Sequence, residues 1–167
     1  ANGVTCESER NKNKAQHPAM SNEQYSIKID GMHAVVTGGG RGIGAAIATR
    51  LHEMGAQVTV MGRNEARLAE LPNCSYQLVD VSDQQAVSSA FTAAVEAHGP
   101  ASVLVNNAGA AQSAPFSNTS LELWQQMIAV NLTGIFLCQQ QVVEGMREQR
   151  FGRIINIAST AGLIGYA

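Results

Sequence analysis

A glycine-rich segment between an apolar strand and a helix constrains the fold of this chain more than any other feature. The segment Thr37–Gly44 reads T-G-G-G-R-G-I-G and follows a β-rich apolar run that begins at His33. Helical spacing of apolar residues follows over 43–54, and Gly55 is a typical helix stop. This order predicts an anion site, because glycines let backbone N–H groups approach a pyrophosphate at a helix N-terminus. The alternative is a glycine turn that binds no ligand.

The rest of the chain alternates short apolar runs with helical patterns. The predicted strands cover residues 33–37, 57–61, 75–79, 101–105 and 153–158, and the predicted helices cover residues 43–54, 64–70, 82–98 and 120–148. Asn64 is predicted to cap the second helix, while Ser82 with Gln85 and Thr119 with Glu122 are predicted to form capping boxes. Such alternation is typical of an α/β fold with a doubly wound parallel sheet, because right-handed crossovers place helices on both faces.

Charge, cysteine content and histidine spacing argue against several classes of function. The formal net charge of -2 offers no basis for binding nucleic acid or an anionic membrane. Three cysteines without a C-x-x-C pair, and scattered histidines at positions 33, 52 and 98, predict neither a disulfide framework nor a metal site. We find no signal segment and no apolar run long enough to span a bilayer, and we therefore expect a cytoplasmic location.

The amino-terminal residues differ in composition from the rest. Residues 1–29 are polar and lack apolar periodicity, which predicts a disordered tail. Residues 1–19 have a second interpretation as upstream read-through, since an ordinary start begins at Met20. We therefore assign residues 30–167 to one dinucleotide-binding domain, which the length of 167 residues accommodates.

The end of the second strand bears on the identity of the cofactor. An NAD site favours a carboxylate at this position for the ribose hydroxyls, whereas an NADP site favours cations for the 2′-phosphate. Gly62 provides no carboxylate, Arg63 follows it, and Arg41 lies within the glycine turn. Two guanidinium groups without an acid predict NADP(H), with NAD as the alternative cofactor. Arg63 has a second interpretation as a solvated loop residue.

These motifs resemble those of the short-chain dehydrogenase/reductase family, whose domain is a Rossmann fold. The glycine turn matches the family's T-G-x-x-x-G-x-G, and Asn106–Gly109 matches its N-N-A-G segment. Asp80 and Val81 resemble the pair that contacts adenine in the family. Asn131 and Ser159 match the catalytic asparagine and serine. The sequence looks similar to 3-oxoacyl carrier-protein reductases, although alcohol and sugar dehydrogenases share this pattern.

The resemblance implies hydride transfer between nicotinamide and a carbonyl or secondary alcohol, with a 3-oxoacyl thioester as one substrate class. By this resemblance, Ser159 binds the substrate oxygen and Asn131 holds a water of the proton relay. The implied cofactor contacts are Thr37, Gly38, Arg41, Gly42, Ile43, Gly44, Arg63, Asp80, Val81, Asn107, Ala108 and Gly109.

The sequence departs from the family after Ser159. The family's tyrosine and lysine lie farther from the serine than Tyr166, which follows it by only seven residues. The three lysines, Lys12, Lys14 and Lys28, all precede the first strand. We therefore expect the printed chain to be inactive by itself. It is interpreted as part of an active reductase, or alternatively as a catalytically dead nucleotide-binding module or an unrelated doubly wound domain such as half of a sugar-nucleotide epimerase.

Two further expectations concern surfaces. Apolar residues of the 120–148 helix cover more than one face, which favours a homodimer or homotetramer over an ordinary core helix with some exposed apolar residues. About five of the family's seven strands are present, so Ile154, Ile155 and Ile157 are expected on an unprotected sheet edge.

Overall fold

The computed structural model describes residues 29–112 and 114–159, which form a parallel sheet between two layers of helices. The strands are β1 His33–Thr37, β2 Gln57–Gly62, β3 Ser75–Leu78, β4 Val103–Asn106 and β5 Arg153–Asn156. The helices are α1 Gly42–Glu53, α2 Glu65–Ala69, α3 Gln84–His98, α4 Leu121–Ile128 and α5 Gly134–Glu148, with a 3₁₀ turn at Phe116–Asn118 and a π-helical turn at Ala129–Thr133.

The sheet order is β3-β2-β1-β4-β5, and every strand pair is parallel. This order confirms the predicted doubly wound sheet. The chain leaves β1 in one direction to form β2 and β3, and it returns to the other side of β1 to form β4. Reversal of strand order opens a crevice at the carboxyl ends of β1 and β4, which is where ligands bind in such sheets.

Alternate residues of the central strands form two cores on opposite faces of the sheet. Val35 and Leu104 belong to the core that α3 and α5 cover, where Phe91 is only 2 % exposed. Val36 and Val105 belong to the core on the α1 and α2 side. Both faces of the central strands are therefore buried, which explains the continuous apolar runs in the sequence.

Helix capping agrees with the sequence analysis at α2 and differs at two other helices. The side chain of Asn64 accepts from the backbone N–H of Arg67 at 3.1 Å, which confirms the predicted cap. The prediction that Ser82 caps α3 was wrong, because Oδ1 of Asp83 accepts from Gln85 and Ala86. A carboxylate both accepts these bonds and favours the positive end of the helix.

At α4 the prediction that Thr119 begins the helix was also wrong. The hydroxyl of Ser120 accepts from the backbone N–H of Leu123 at 3.2 Å. The hydroxyl of Thr119 instead donates to backbone carbonyls of the preceding loop, at Ala114 and Pro115. Thr119 and Ser120 could each cap α4. Because the hydroxyl of Thr119 bonds to the preceding loop, Ser120 forms the cap.

The predicted long helix is divided by its π-helical turn. Residues 129–133 form a wider turn between α4 and α5, and Asn131 lies at its centre. Within this single chain, α4 has no buried residue. Large apolar side chains remain exposed along both helices and the turn between them, namely Leu121, Trp124, Ile128, Leu132, Phe136 and Val143.

The two ends of the described chain differ in burial. Ile29 is only 7 % exposed and packs in the core on the α1 side, although the sequence analysis assigned it to the tail. The rest of that tail, residues 1–28, lies outside the described residues. At the other end, β5 is an edge strand in the described part of the chain, and Ile154, Ile155 and Ile157 are exposed as expected.

Candidate cofactor site

A cavity of about 610 Å³ opens at the carboxyl ends of β1, β2 and β4, where the strand order reverses. Every predicted cofactor residue except Thr37 lines it. The lining residues are Gly38, Gly40, Arg41, Gly42, Ile43, Gly44, Gly62, Arg63, Asn64, Arg67, Leu68, Val79, Asp80, Val81, Asn107, Ala108, Gly109 and Val130. Residues distant in the sequence thus meet in one cavity.

Thr37 lies beneath the cavity, where it joins the glycine turn to β4. Its Oγ1 accepts from the backbone N–H groups of Asn107 and Ala108 at 3.1 and 3.0 Å. The side-chain Nδ2 of Asn107 donates to the carbonyls of Thr37 and Gly38, both at 3.1 Å. Thr37 is only 1 % exposed, so it supports the glycine turn through these hydrogen bonds without lining the cavity itself.

Two positions of the turn require glycine, one for its backbone conformation and the other for a close backbone contact. Gly38 has φ +64°, a conformation that favours glycine. A Cβ atom at Gly44 would lie 2.3 Å from the carbonyl oxygen of Gly38. α1 begins at Gly42 with no side-chain cap from Arg41. The first N–H groups of α1 therefore bind no capping side chain and are available to donate to an anion.

Two oppositely charged side chains line the cavity just after β2 and β3, namely Arg63 and Asp80. Nη1 of Arg63 lies 3.6 Å from Oδ2 of Asp80. The hydroxyl of Ser82 lowers the pKa of Asp80 most, and the backbone N–H of Ser82 and the charge of Arg63 add to this effect against the opposing effect of burial. Asp80 is therefore ionised at neutral pH. The ion pair contributes little to stability, because its side chains are 72 % and 39 % exposed.

Sequence reasoning missed several lining residues, of which Arg67 is the most informative. It lies in α2, four residues after Arg63, and both residues line the cavity. A second arginine in the short helix that directly follows Arg63 was a usable signal for it. Val130 was also missed, because its place in the wall depends on the π-helical turn.

Asn131 lies beside the cavity and outside its lining. Its Oδ1 accepts from the backbone N–H of Ala110 at 3.0 Å, and its Nδ2 donates to the carbonyl of Ala110 at 2.9 Å. A Cβ atom at Gly109 would lie 3.2 Å from this Oδ1. Both polar atoms of the carboxamide thus hold the segment that follows the N-N-A-G motif.

Ser159 follows the carboxyl end of β5 and is exposed. The strand end that leads to it is fixed by Asn156, whose Oδ1 accepts from Nδ2 of Asn106 at 2.9 Å and from Nε2 of Gln139 at 3.2 Å. Since β4 and β5 are parallel neighbours, their carboxyl ends lie on the same side of the sheet. Ser159 therefore lies on the side where the cavity opens. Tyr166 and the three lysines lie outside the described residues.

The described part of the chain has neither a cluster of metal-binding side chains nor a helix that could span a membrane. Over residues 29–112 and 114–159, no three His, Cys, Asp or Glu side chains are grouped to hold a metal ion. None of the helices in these ranges has the length and apolar character needed to cross a membrane.

The fold and the cavity define a dinucleotide-binding α/β protein. A family model described as short chain dehydrogenase matches residues 32–167, which is most of the chain. The chain therefore belongs to the short-chain dehydrogenase family.

Curated relatives agree with this assignment. A Streptomyces violaceoruber protein named "Granaticin polyketide synthase putative ketoacyl reductase 1" is 40 % identical over 142 residues, which cover 79 % of this chain and 52 % of the relative. An uncharacterized oxidoreductase of Staphylococcus aureus is 38 % identical over 135 residues, which cover 77 % of this chain and 58 % of the relative. The chain thus spans about half the length of these relatives.

Solved structures share the fold. A variant of actinorhodin polyketide ketoreductase, crystallised with NADPH, matches with a TM-score of 0.78 and 38 % identity, covering 81 % of this chain and 56 % of that one. A metagenomic short-chain oxidoreductase in complex with NADP matches with a TM-score of 0.79 and 35 % identity, covering 84 % of this chain and 67 % of that one.

Proposed function

We propose that this chain is the cofactor-binding part of an NADP(H)-dependent oxidoreductase that acts on a carbonyl or secondary alcohol. The observation that carries the proposal is the cavity at the reversal of strand order, with the uncapped start of α1 on one side and arginines on another. Family membership supports the same reaction class. A bound nicotinamide supplies or accepts the hydride, and the chain's own residues bind and orient the reactants.

The preference for NADP(H) rests on the charges around the end of β2. Gly62 carries no carboxylate, and Arg41 and Arg63 line the cavity near it. Arginine suits the 2′-phosphate, because its planar fork of donors forms paired hydrogen bonds with phosphate oxygens. Two structural relatives are complexes with NADPH or NADP, which supports this choice of cofactor. NAD remains the alternative that the experiment below tests.

The proposed roles of the remaining residues follow from their positions. The backbone N–H groups of the glycine turn and the start of α1 bind the pyrophosphate, and Asp80 and Val81 contact the adenine. Asn107, Ala108 and Gly109 line the wall beside the cofactor. Ser159 donates a hydrogen bond to the substrate oxygen and stabilises its developing charge. Asn131 holds a water of the proton relay, while its carboxamide fixes Ala110.

We propose a 3-oxoacyl thioester as the substrate class of the whole protein. The names of the Streptomyces relative and of the actinorhodin enzyme support this choice. The proton donor of the reaction is assigned to a tyrosine with a neighbouring lysine. The described residues contain no lysine, and their one tyrosine, Tyr76, lies in β3. We propose that residues 30–167 provide the cofactor-binding part of that enzyme. A catalytically dead nucleotide-binding module is the second candidate, and turnover by the whole protein separates the two.

The assembly and the compartment are further proposals. The exposed apolar side chains Trp124, Ile128 and Phe136 support a homodimer or homotetramer formed through the α4 and α5 helices. Sedimentation of the wild type and of Phe136→Glu tests this, with dissociation expected for the variant. A cytoplasmic location is supported by unpaired Cys74 and Cys138 among the described residues.

The cofactor proposal is tested by titrating the chain with NADPH and NADH while following nucleotide fluorescence. We expect NADPH to bind at least about tenfold more tightly, since each phosphate–arginine contact is a charge-assisted hydrogen bond. Gly62→Asp should shift the preference toward NADH, because the carboxylate can bind the ribose hydroxyls and repels a 2′-phosphate. The site has room, as a Cβ at Gly62 would lie 3.5 Å from its nearest neighbour, in Leu68.

Arg50→Gln provides the matched control, because Arg50 pairs with Glu53 in the last turn of α1, away from the cavity. This variant should keep the preference of the wild type. Equal affinities for NADPH and NADH in the wild type would overturn the assignment of NADP(H).

A further inference from the structure

We propose that Arg67 is a third cation of the 2′-phosphate site and helps to select NADP(H) over NAD(H). The inference rests on the proposed cofactor function and adds to it a specificity residue outside the motifs that point to Arg41 and Arg63. Its basis is the placement of α2 against the glycine turn, together with the balance of charges around the cavity.

The position of Arg67 is fixed by its backbone and by its neighbour. Its N–H donates to Oδ1 of Asn64 at 3.1 Å, so the first turn of α2 is held directly after Arg63. Leu68 is only 1 % exposed and anchors α2 in the core on the α1 side. The long side chain of Arg67 therefore starts from a rigid point in the cavity wall.

Gly40 lets α2 approach the glycine turn closely. A Cβ atom at Gly40 would lie 3.3 Å from Cβ of Arg67 and 3.3 Å from Cδ2 of Leu68. This contact brings the base of the Arg67 side chain next to the residue that precedes Arg41. Arginines from the glycine turn, from the end of β2 and from α2 thus line the same cavity.

The charged groups that line the cavity favour a dianion. Three guanidinium groups and the carboxylate of Asp80 leave two positive charges, which matches the charge of about -1.5 to -2 on a phosphomonoester at neutral pH. Among the described residues, Arg63 pairs with Asp80, whereas neither Arg41 nor Arg67 forms an ion pair. The nearby acid Glu65 accepts a hydrogen bond from the hydroxyl of Tyr76 on β3.

The location of α2 favours the 2′-phosphate over the pyrophosphate as the partner of Arg67. α2 follows β2, the strand whose end faces the ribose in such sheets, whereas the pyrophosphate lies at the start of α1. The two phosphate groups can be separated by experiment, because 5′-AMP, ADP and 2′,5′-ADP carry them in different combinations.

The test is calorimetric titration of wild type and Arg67→Gln with 5′-AMP, ADP and 2′,5′-ADP. We expect the variant to bind 2′,5′-ADP roughly tenfold more weakly, with 5′-AMP and ADP unchanged, since one charge-assisted contact to phosphate is lost. The substitution spares the cap of α2, which uses the backbone N–H of Arg67. Arg67→Lys should give an intermediate loss, because it keeps the charge without the fork of donors.

Arg147→Gln is the matched control for charge, as Arg147 pairs with Glu144 in α5 and does not line the cavity. Unchanged binding of 2′,5′-ADP by Arg67→Gln would overturn the proposal, as would an equal loss for ADP. These results differ from failure of the proposed function, in which the wild type itself binds 2′,5′-ADP no better than 5′-AMP.

Discussion

Thr37 and Asn107 hydrogen-bond to each other in both directions across the base of the cavity. Oγ1 of Thr37 accepts from the backbone N–H of Asn107, and the carbonyl of Thr37 accepts from the side chain of Asn107, both at 3.1 Å. These bonds join the glycine turn after β1 to the segment after β4. The two strands flank the point where sheet order reverses, so the pair fixes the width of the crevice.

Thr37→Val should destabilise the protein by about 2 kcal/mol, because it leaves two N–H groups without their acceptor while preserving side-chain shape. Cofactor affinity should fall as well, since the turn loses its support. Urea unfolding followed by circular dichroism measures the first effect. Thr49→Val makes the same change at an exposed position of α1 and should alter stability by less than about 0.5 kcal/mol. Equal effects of the two variants would contradict this role for Thr37.

Gly44→Ala and Gly145→Ala should change stability in opposite directions. The Cβ atom at Gly44 would meet the carbonyl oxygen of Gly38 at 2.3 Å, so the turn must move, at a cost of about 2 to 3 kcal/mol. At Gly145 in α5 the nearest atom would be Cβ of Pro100 at 3.5 Å, an ordinary contact. Alanine is the better helix former, so this variant should gain up to about 1 kcal/mol. Thermal unfolding of both variants tests the contrast, and a neutral Gly44→Ala would show that the turn can relax.

Asn131→Ala should cost about 1 to 2 kcal/mol, because both hydrogen bonds to Ala110 are lost in a partly solvated place. Gln126→Ala is the control, since Gln126 is exposed in α4. The free energy of unfolding measures the difference between the two variants. Hydrogen exchange at the Ala110 amide provides a local readout, and it should become faster only in Asn131→Ala. Unaltered exchange there would argue against this restraint.

A buried histidine predicts how stability depends on pH. Nδ1 of His33 donates to the carbonyl of Gly99 at 2.7 Å, and its Nε2 accepts from the hydroxyl of Thr59 at 2.9 Å. Burial lowers the pKa of His33 from its usual 6.5, with the charge of nearby His98 adding to the effect against the hydrogen bond to Gly99. The unfolded chain therefore binds the proton more readily than the folded chain.

Stability should accordingly be full above about pH 6.5 and decrease as the pH falls from there through the folded-state pKa. His33→Gln keeps a donor and an acceptor without a titratable ring, so its stability should vary less over the same range. Urea unfolding at a series of pH values measures both proteins. The titration of Asp80 lies outside this pH range, because the hydrogen bond from Ser82 lowers its pKa further from the ordinary value of an aspartate. Identical pH dependence in the two proteins would contradict this account of His33.

The strands and the glycine turn could be predicted from the sequence because both depend on local patterns. The apolar runs, Gly38 and the N-N-A-G segment carry the information in a few adjacent residues. The first residue of a helix was harder to predict. Asp83 and Ser120 cap α3 and α4, where the sequence predicted Ser82 and Thr119. Two neighbouring polar residues can cap a helix equally well in isolation. Which of them does so in the protein depends on contacts with the preceding loop.

The sequence by itself determined the sheet, the family and the arginines after β1 and β2. Only the tertiary structure decided which distant groups meet. The contact of Gly40 with Arg67 and the π-helical turn that places Asn131 at Ala110 are examples. The approach of buried His33 to half-buried His98, with ring centroids 5.3 Å apart, is another. The physical reason is that periodicity reports which face of an element is buried, whereas contacts between elements depend on how closely backbones pack.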